Sequence, residues 1–168
     1  MLASFDKNDN LSRSIILWRV SMRRLLPPVL VGLLLIALFA LSRVEQPIDP
    51  LPVSSAMIGW VCIPLALIGL AVARRQFSRA SAEIMTFDTP RNLVTDGLFA
   101  YSRNPMYLSM LLLVLGAALI VGHWAGLLMP LVFFIAANWW YIPFEENAAE
   151  RAFGDPYRQY RARVRRWI

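Results

Sequence analysis

Cysteine and histidine are almost missing from this 168-residue chain, which has one of each, Cys62 and His123. A single cysteine excludes an internal disulfide and a metal–thiolate cluster, and no metal is expected. There is no Ser-His-Asp set, no His-Glu-x-x-His helix and no glycine-rich phosphate loop. The first 24 residues are charged throughout and lack a short apolar core followed by small residues. A cleavable leader is therefore not expected. No internal repeat and no low-complexity tract is present.

What the chain has in abundance is apolar length. Hydrophobic residues make up 58% and charged residues only 17%, too apolar for a soluble domain of this size. Three runs stand out: Leu25 to Leu41, Val53 to Ala73, and Met106 to Tyr141. The last is about twice the roughly 20 residues that one crossing needs, and Gly122-His123 divides it. The expected fold is all-α and polytopic, with about four transmembrane helices, the last two forming a hairpin. It is read as a single membrane-embedded domain over residues 1–168. Residues 1–85 supply an interfacial helix (Leu11 to Arg24) and two spans; residues 86–168 supply a loop, the hairpin and a basic tail.

Charge placement gives an orientation. Of the 17 basic residues, Arg43 alone falls in the first or third connection; the rest precede span one, separate spans two and three, or follow span four. The positive-inside rule then puts both termini in the cytoplasm, with a bacterial inner membrane as the expected location. A net charge of +6 would otherwise suggest nucleic acid. Here the basic residues track topology, so no nucleic-acid partner is expected. The apolar and aromatic spacing at 157, 160, 164, 167 and 168 predicts an amphipathic cytoplasmic helix lying on anionic membrane lipids.

The densest chemistry lies at the start of span three. Asp96-Gly97 forms a turn, and Arg103 precedes Asn104-Pro105, a helix-start pair. An arginine beside fresh helical N–H groups suits a small anion. Glu145-Glu146 follows span four next to Pro143, and a hairpin would return this pair to Arg103. Together they would clamp a zwitterionic, amino-acid-like ligand. Each feature also has a plain reading. Arg103 would be a snorkelling flank, Glu145-Glu146 a solvated helix start, and Trp139-Trp140-Tyr141 an interfacial belt rather than a pocket wall.

The ordered series Leu93-Val94-Thr95-Asp96-Gly97, Tyr101, Arg103-Asn104-Pro105-Met106-Tyr107, Glu145-Glu146, Phe153-Gly154, Tyr157 and Tyr160 resembles the isoprenylcysteine carboxyl methyltransferase and phospholipid methyltransferase superfamily of membrane enzymes. The closing Val164-Arg165-Arg166-Trp167-Ile168 is also similar to family tails. Asn104 stands where the family usually has histidine, and Ser109 where glycine often occurs. The resemblance implies a methyltransferase that uses S-adenosyl-L-methionine and releases S-adenosyl-L-homocysteine. It implies donor contacts from Tyr101, Arg103, Asn104, Pro105, Tyr107, Glu145, Glu146, Tyr157 and Tyr160, with Arg103, Glu145 and Glu146 catalytic. The acceptor would be lipophilic: a prenylcysteine-like or small hydrophobic carboxylate or thiol, or an aminophospholipid. Asparagine cannot titrate near neutral pH, so any step needing an imidazole at 104 is in doubt. A non-enzymatic four-helix membrane protein is the rival class, and it gives no use to the ordered polar series.

Overall fold

Proline marks the start of helix after helix in the computed structural model, which describes residues 26–43, 50–79 and 92–168. Its fixed φ suits a first turn, where the missing N–H has no helical partner to lose. Helices α1 (Pro27–Leu41) and α3 (Pro105–Val121) begin this way. So do α5 (Ile142–Phe153) and α6 (Asp155–Arg163). Between them, α2 (Val53–Arg79) keeps Pro64 inside, and α4 covers Leu128–Ala136. The described residues contain no strand beyond an isolated bridge between Pro50 and His123, where Leu51 N–H donates to the Gly122 carbonyl at 2.7 Å. Gly122 ends α3 in the left-handed region at φ 76°, a conformation that glycine adopts without penalty.

The last hairpin arm is one continuous rod, Trp124–Phe153. A 3₁₀ turn, α4, a π turn at Ala137–Tyr141 and α5 follow without a break. Pro143 accounts for the π turn, because its ring crowds the carbonyl four residues back and the helix widens just before it. Ile142 N–H reaches back five residues to the Ala137 carbonyl. In that register the next donor would be residue 143, a proline. The Asn138 carbonyl is thus left without a helical partner. The irregularity lies one turn ahead of Glu145-Glu146, which themselves sit in regular helix.

Among the described residues two elements are long and apolar enough to cross a membrane, α2 and the Trp124–Phe153 rod. Helices α1 and α3 are apolar but have 15 and 17 residues, about 22 and 26 Å at the helical rise. The surface agrees with a lipid setting. α2 buries only Gly59, Ala66 and Ala73, while Met57, Trp60, Val61, Leu65 and Ile68 are each more than half exposed. An apolar face of that extent is unsuited to water.

Small residues let α2 and α3 approach closely. A Cβ on Gly59 would fall 2.5 Å from the Gly116 carbonyl, and one on Gly69 would fall 2.6 Å from Ser109 Oγ. Ser109, the departure from the family pattern, is therefore accommodated by a glycine on the facing helix. Its hydroxyl is also satisfied, donating to the Pro105 carbonyl at 2.8 Å. The main core joins Val31, Leu34 and Leu38 of α1 to Val114 and Ala118 of α3 and Phe133 of α4.

One expectation fails. Residues 157–168 do not form a single continuous helix. α6 stops at Arg163, and Val164 turns extended at φ −114°, ψ 131°. Tyr157 and Tyr160 are buried against the protein, and the Trp167 ring packs on Phe134 with centroids 5.2 Å apart. The spacing is amphipathic, but its apolar side meets protein. The expected interfacial helix at 11–24, residues 44–49 of the first connection and residues 80–91 of the second lie outside the described residues.

Candidate active site

The turn before α3 is built for closeness. Gly97 has φ 59°, and a Cβ there would run into the Gln76 side chain of α2. Gln76 Oε1 accepts the Leu98 N–H at 3.1 Å, anchoring the 3₁₀ turn Gly97–Ala100 to α2. From this turn the chain presents Ser102, Arg103 and Asn104 in succession.

Arg103 is the hub. Its Nη2 donates to Glu146 Oε1 at 2.7 Å, and the two side chains are only 9% and 7% exposed. The hairpin therefore brings arginine and acid together as the sequence predicts. Nη1 donates to two carbonyls, Arg161 at 2.9 Å and Val164 at 3.0 Å. The Arg103 backbone N–H takes a third, Arg165, at 3.0 Å. Arg103 Nε is buried and has no partner among the described residues. A buried N–H of this kind is costly unless something completes it.

The two glutamates divide their work. Glu146 is fully engaged, since Arg166 Nη2 meets its Oε2 at 2.6 Å and Arg166 Nε meets Oε1 at 3.3 Å. Glu145 instead accepts the Tyr107 hydroxyl through Oε1 at 2.8 Å, and its Oε2 carries no hydrogen bond from the described residues. The Tyr107 ring stacks near Tyr141 with centroids 6.3 Å apart.

These groups face one cavity of about 230 Å³. Its polar wall includes Arg103, Asn104, Tyr107, Glu145, Glu146, Tyr157 and Tyr160; Pro105 also lines it. Its apolar wall includes Phe77, Val94, Phe99, Met110 and Phe153, with Pro27 and Pro28 of α1 at the side. Tyr160 donates to the Phe99 carbonyl at 2.7 Å. Burial, together with the nearby Glu146 carboxylate, pushes the Tyr157 phenol up to about 12, and burial likewise raises Tyr160. Both stay protonated donors near neutral pH.

Some expected residues play other parts. Tyr101 is 79% exposed and does not line the cavity. Trp139 and Trp140 also point outward, which fits the interfacial-belt reading and not the pocket wall. Asn104 precedes α3, but its side chain makes no cap hydrogen bond. Nδ2 instead donates to the Arg166 carbonyl at 3.0 Å, while Ser102 Oγ accepts the Asn104 N–H at 3.1 Å. Arg166 and Asn138 are the contributors that sequence reasoning missed. The signal for Asn138 was a lone amide inside an apolar run, since polar side chains at such depth need partners.

Comparison with known proteins identifies the family. The profile described as Phospholipid methyltransferase matches residues 55–156. An uncharacterized protein of Haemophilus influenzae is 41% identical over 63 residues, covering 38% of this chain and 100% of that protein. Protein-S-isoprenylcysteine O-methyltransferase of Schizosaccharomyces pombe is 31% identical over 116 residues, 66% of this chain and 47% of the relative. The chain thus spans about half the length of that enzyme. No solved structure matches. With Arg103 joined to Glu146 beside a cavity and the family profile covering most of the chain, the protein belongs to the phospholipid methyltransferase family of integral membrane methyltransferases, the superfamily that includes isoprenylcysteine methyltransferases.

Proposed function

We propose that the protein crosses the membrane four times, with both termini and the cavity on the cytoplasmic side, and methylates a lipophilic acceptor using S-adenosyl-L-methionine. The single observation that carries this reading is the cavity wall, where the buried Arg103 Nε lacks a partner and Glu145 Oε2 is free of hydrogen bonds from the described residues. An unpartnered cationic N–H and an available carboxylate oxygen suit the carboxylate and ammonium of the donor's amino-acid part. The apolar wall at Phe77, Val94 and Phe99 suits its nucleoside. The residues fit the group.

When bound, S-adenosyl-L-methionine supplies a methyl group on a sulfonium. The chain's own residues hold and align. Arg103 Nε receives the carboxylate, assisted by the N-terminal end of α3. Glu145, oriented by the Tyr107 hydroxyl, receives the ammonium. Glu146 does not touch the ligand in this reading; it fixes Arg103. Alignment of this kind supplies up to about 7 to 11 kcal/mol of a displacement barrier, and the apolar wall keeps water out.

The same assignment bears on the acceptor. Among the described cavity residues Glu146 is doubly ion-paired and Glu145 is committed to the donor, while Asn104 cannot titrate. No base remains to take a proton from an amine, so the arrangement favours an acceptor that arrives anionic, a carboxylate or thiolate on an apolar chain. The O-methyltransferase activity of the fission-yeast relative supports the carboxylate, whereas the family profile, Phospholipid methyltransferase, supports a phospholipid. The test is to supply membranes containing the protein with radiolabelled methyl donor and, in parallel, a prenylated cysteine or phosphatidylethanolamine. Label in a base-labile ester or a thioether is expected. Label confined to the amine lipid would overturn the acceptor assignment, and no label in any lipophilic product would overturn the enzymatic reading.

A further inference from the structure

Arg166 makes a contact that the methyl-donor reading does not by itself require. It grips Glu146 side-on, Nη2 on Oε2 at 2.6 Å and Nε on Oε1 at 3.3 Å, while Arg103 reaches only Oε1, at 2.7 Å. A guanidinium and a carboxylate left alone prefer two parallel hydrogen bonds, one of which often uses Nε. Arg103 and Glu146 do not pair in that way, because Arg166 occupies the second oxygen. Arg103 Nε is consequently left without a partner beside the cavity.

The position of Arg166 is itself determined by the fold. The π turn and Pro143 strip the Asn138 carbonyl of its helical donor, and Arg166 Nη1 takes it at 3.3 Å. Asn138 Oδ1 accepts Trp167 Nε1 at 3.1 Å. The Arg166 carbonyl accepts Asn104 Nδ2 at 3.0 Å. Backbone irregularity in one span and an amide at the start of another converge on this arginine, and the neighbouring Trp167 packs on Phe134.

We infer that Arg166 is a positioning residue for the donor site: by pairing side-on with Glu146 it keeps the Arg103 Nε–H available for the ligand carboxylate. The inference rests on the donor reading above. Without Arg166, Glu146 swings to a side-on pair with Arg103 and captures Nε. The fold loses little, but the carboxylate subsite closes.

Two ligands separate this role from a structural one. S-Adenosyl-L-homocysteine carries the amino-acid carboxylate, whereas 5′-methylthioadenosine keeps the nucleoside and sulfur but lacks the amino-acid part. Binding of both to the detergent-solubilised full chain is measured by calorimetry for the wild type, Arg166→Gln and Arg166→Lys. Arg166→Gln is expected to weaken S-adenosyl-L-homocysteine about tenfold, the scale of one charge-assisted contact. 5′-Methylthioadenosine should change less than about twofold, because its contacts avoid Arg103 Nε. Arg166→Lys, which keeps a charge on Oε2 without the fork, should fall between. Equal losses for both ligands, or no loss for either, would overturn the positioning role. If Arg166→Gln does not fold, the ratio of the two affinities in Arg166→Lys decides: a ratio unchanged from wild type overturns it. A wild type that binds neither ligand sinks the donor reading itself.

Discussion

Replacing Glu146 by glutamine tests the centre of the structure. The carboxylate accepts three hydrogen bonds from two guanidiniums, and its side chain is 7% exposed. Glutamine keeps the shape but removes the charge, leaving Arg103 and Arg166 facing each other uncompensated. Removing one member of a buried ion pair costs about 3 to 5 kcal/mol. Arg166 is 31% exposed and regains some hydration, which places the cost near the lower end, about 3 kcal/mol. For a chain of this size each kcal/mol moves the midpoint by roughly 2 to 4 °C, so a drop of about 6 to 12 °C is expected. The assay is thermal unfolding in detergent followed by tryptophan fluorescence. Glu150→Gln is the internal control, because Glu150 meets Arg161 at 3.3 Å and Arg158 at 4.0 Å at the surface. Exposed pairs contribute at most about 1 kcal/mol. If the two substitutions lower the midpoint equally, Glu146 does not organise the two arginines and the reasoning fails.

Three further outcomes are expected. Glu145→Gln still accepts the Tyr107 hydroxyl, so the midpoint should move by less than about 3 °C, while S-adenosyl-L-homocysteine binding weakens about tenfold for loss of one charged contact; calorimetry showing unchanged affinity would remove Glu145 from the ligand site. Gly69→Ala drives a methyl toward Ser109 Oγ and should cost about 1 to 3 kcal/mol. In the Gly69→Ala, Ser109→Gly double variant most of that loss should return, and purely additive unfolding midpoints would contradict the contact. Tyr157 has its phenol raised to about 12 from 10.0, so its contribution is complete below pH 10 and lost as pH climbs toward 12. Tyr157→Phe should flatten the wild-type decline in thermal midpoint across that window, and an identical decline in both proteins would refute the assignment.

How far the sequence was legible depends on the range of each signal. Pro105 and Gly122 mark the ends of α3 because each acts through its own backbone, and the meeting of Arg103 with Glu146 follows from folding one hairpin. Arg166 was hidden. The period of 157, 160, 164 and 167 reads as continuing helix, and no residue between 164 and 168 announces the extended turn; only the carbonyl left at Asn138 and the acid on another helix draw the tail inward. Asn104 deceived in a different way. Its type and place predict a cap, yet tertiary partners outcompeted the local one. Tyr101 matches a family motif but faces outward, because the 3₁₀ turn ends there and the next residues point the other way.

The two close crossings of α2 with α3, at Gly59–Gly116 and Gly69–Ser109, lie ten residues apart along α2, about 15 Å of rise. Two close contacts so separated oppose a pivot between these helices. If a lipophilic acceptor enters sideways from the bilayer, the wall that would have to yield is the one opposite this pair, where Pro27 and Pro28 stand at the tip of α1.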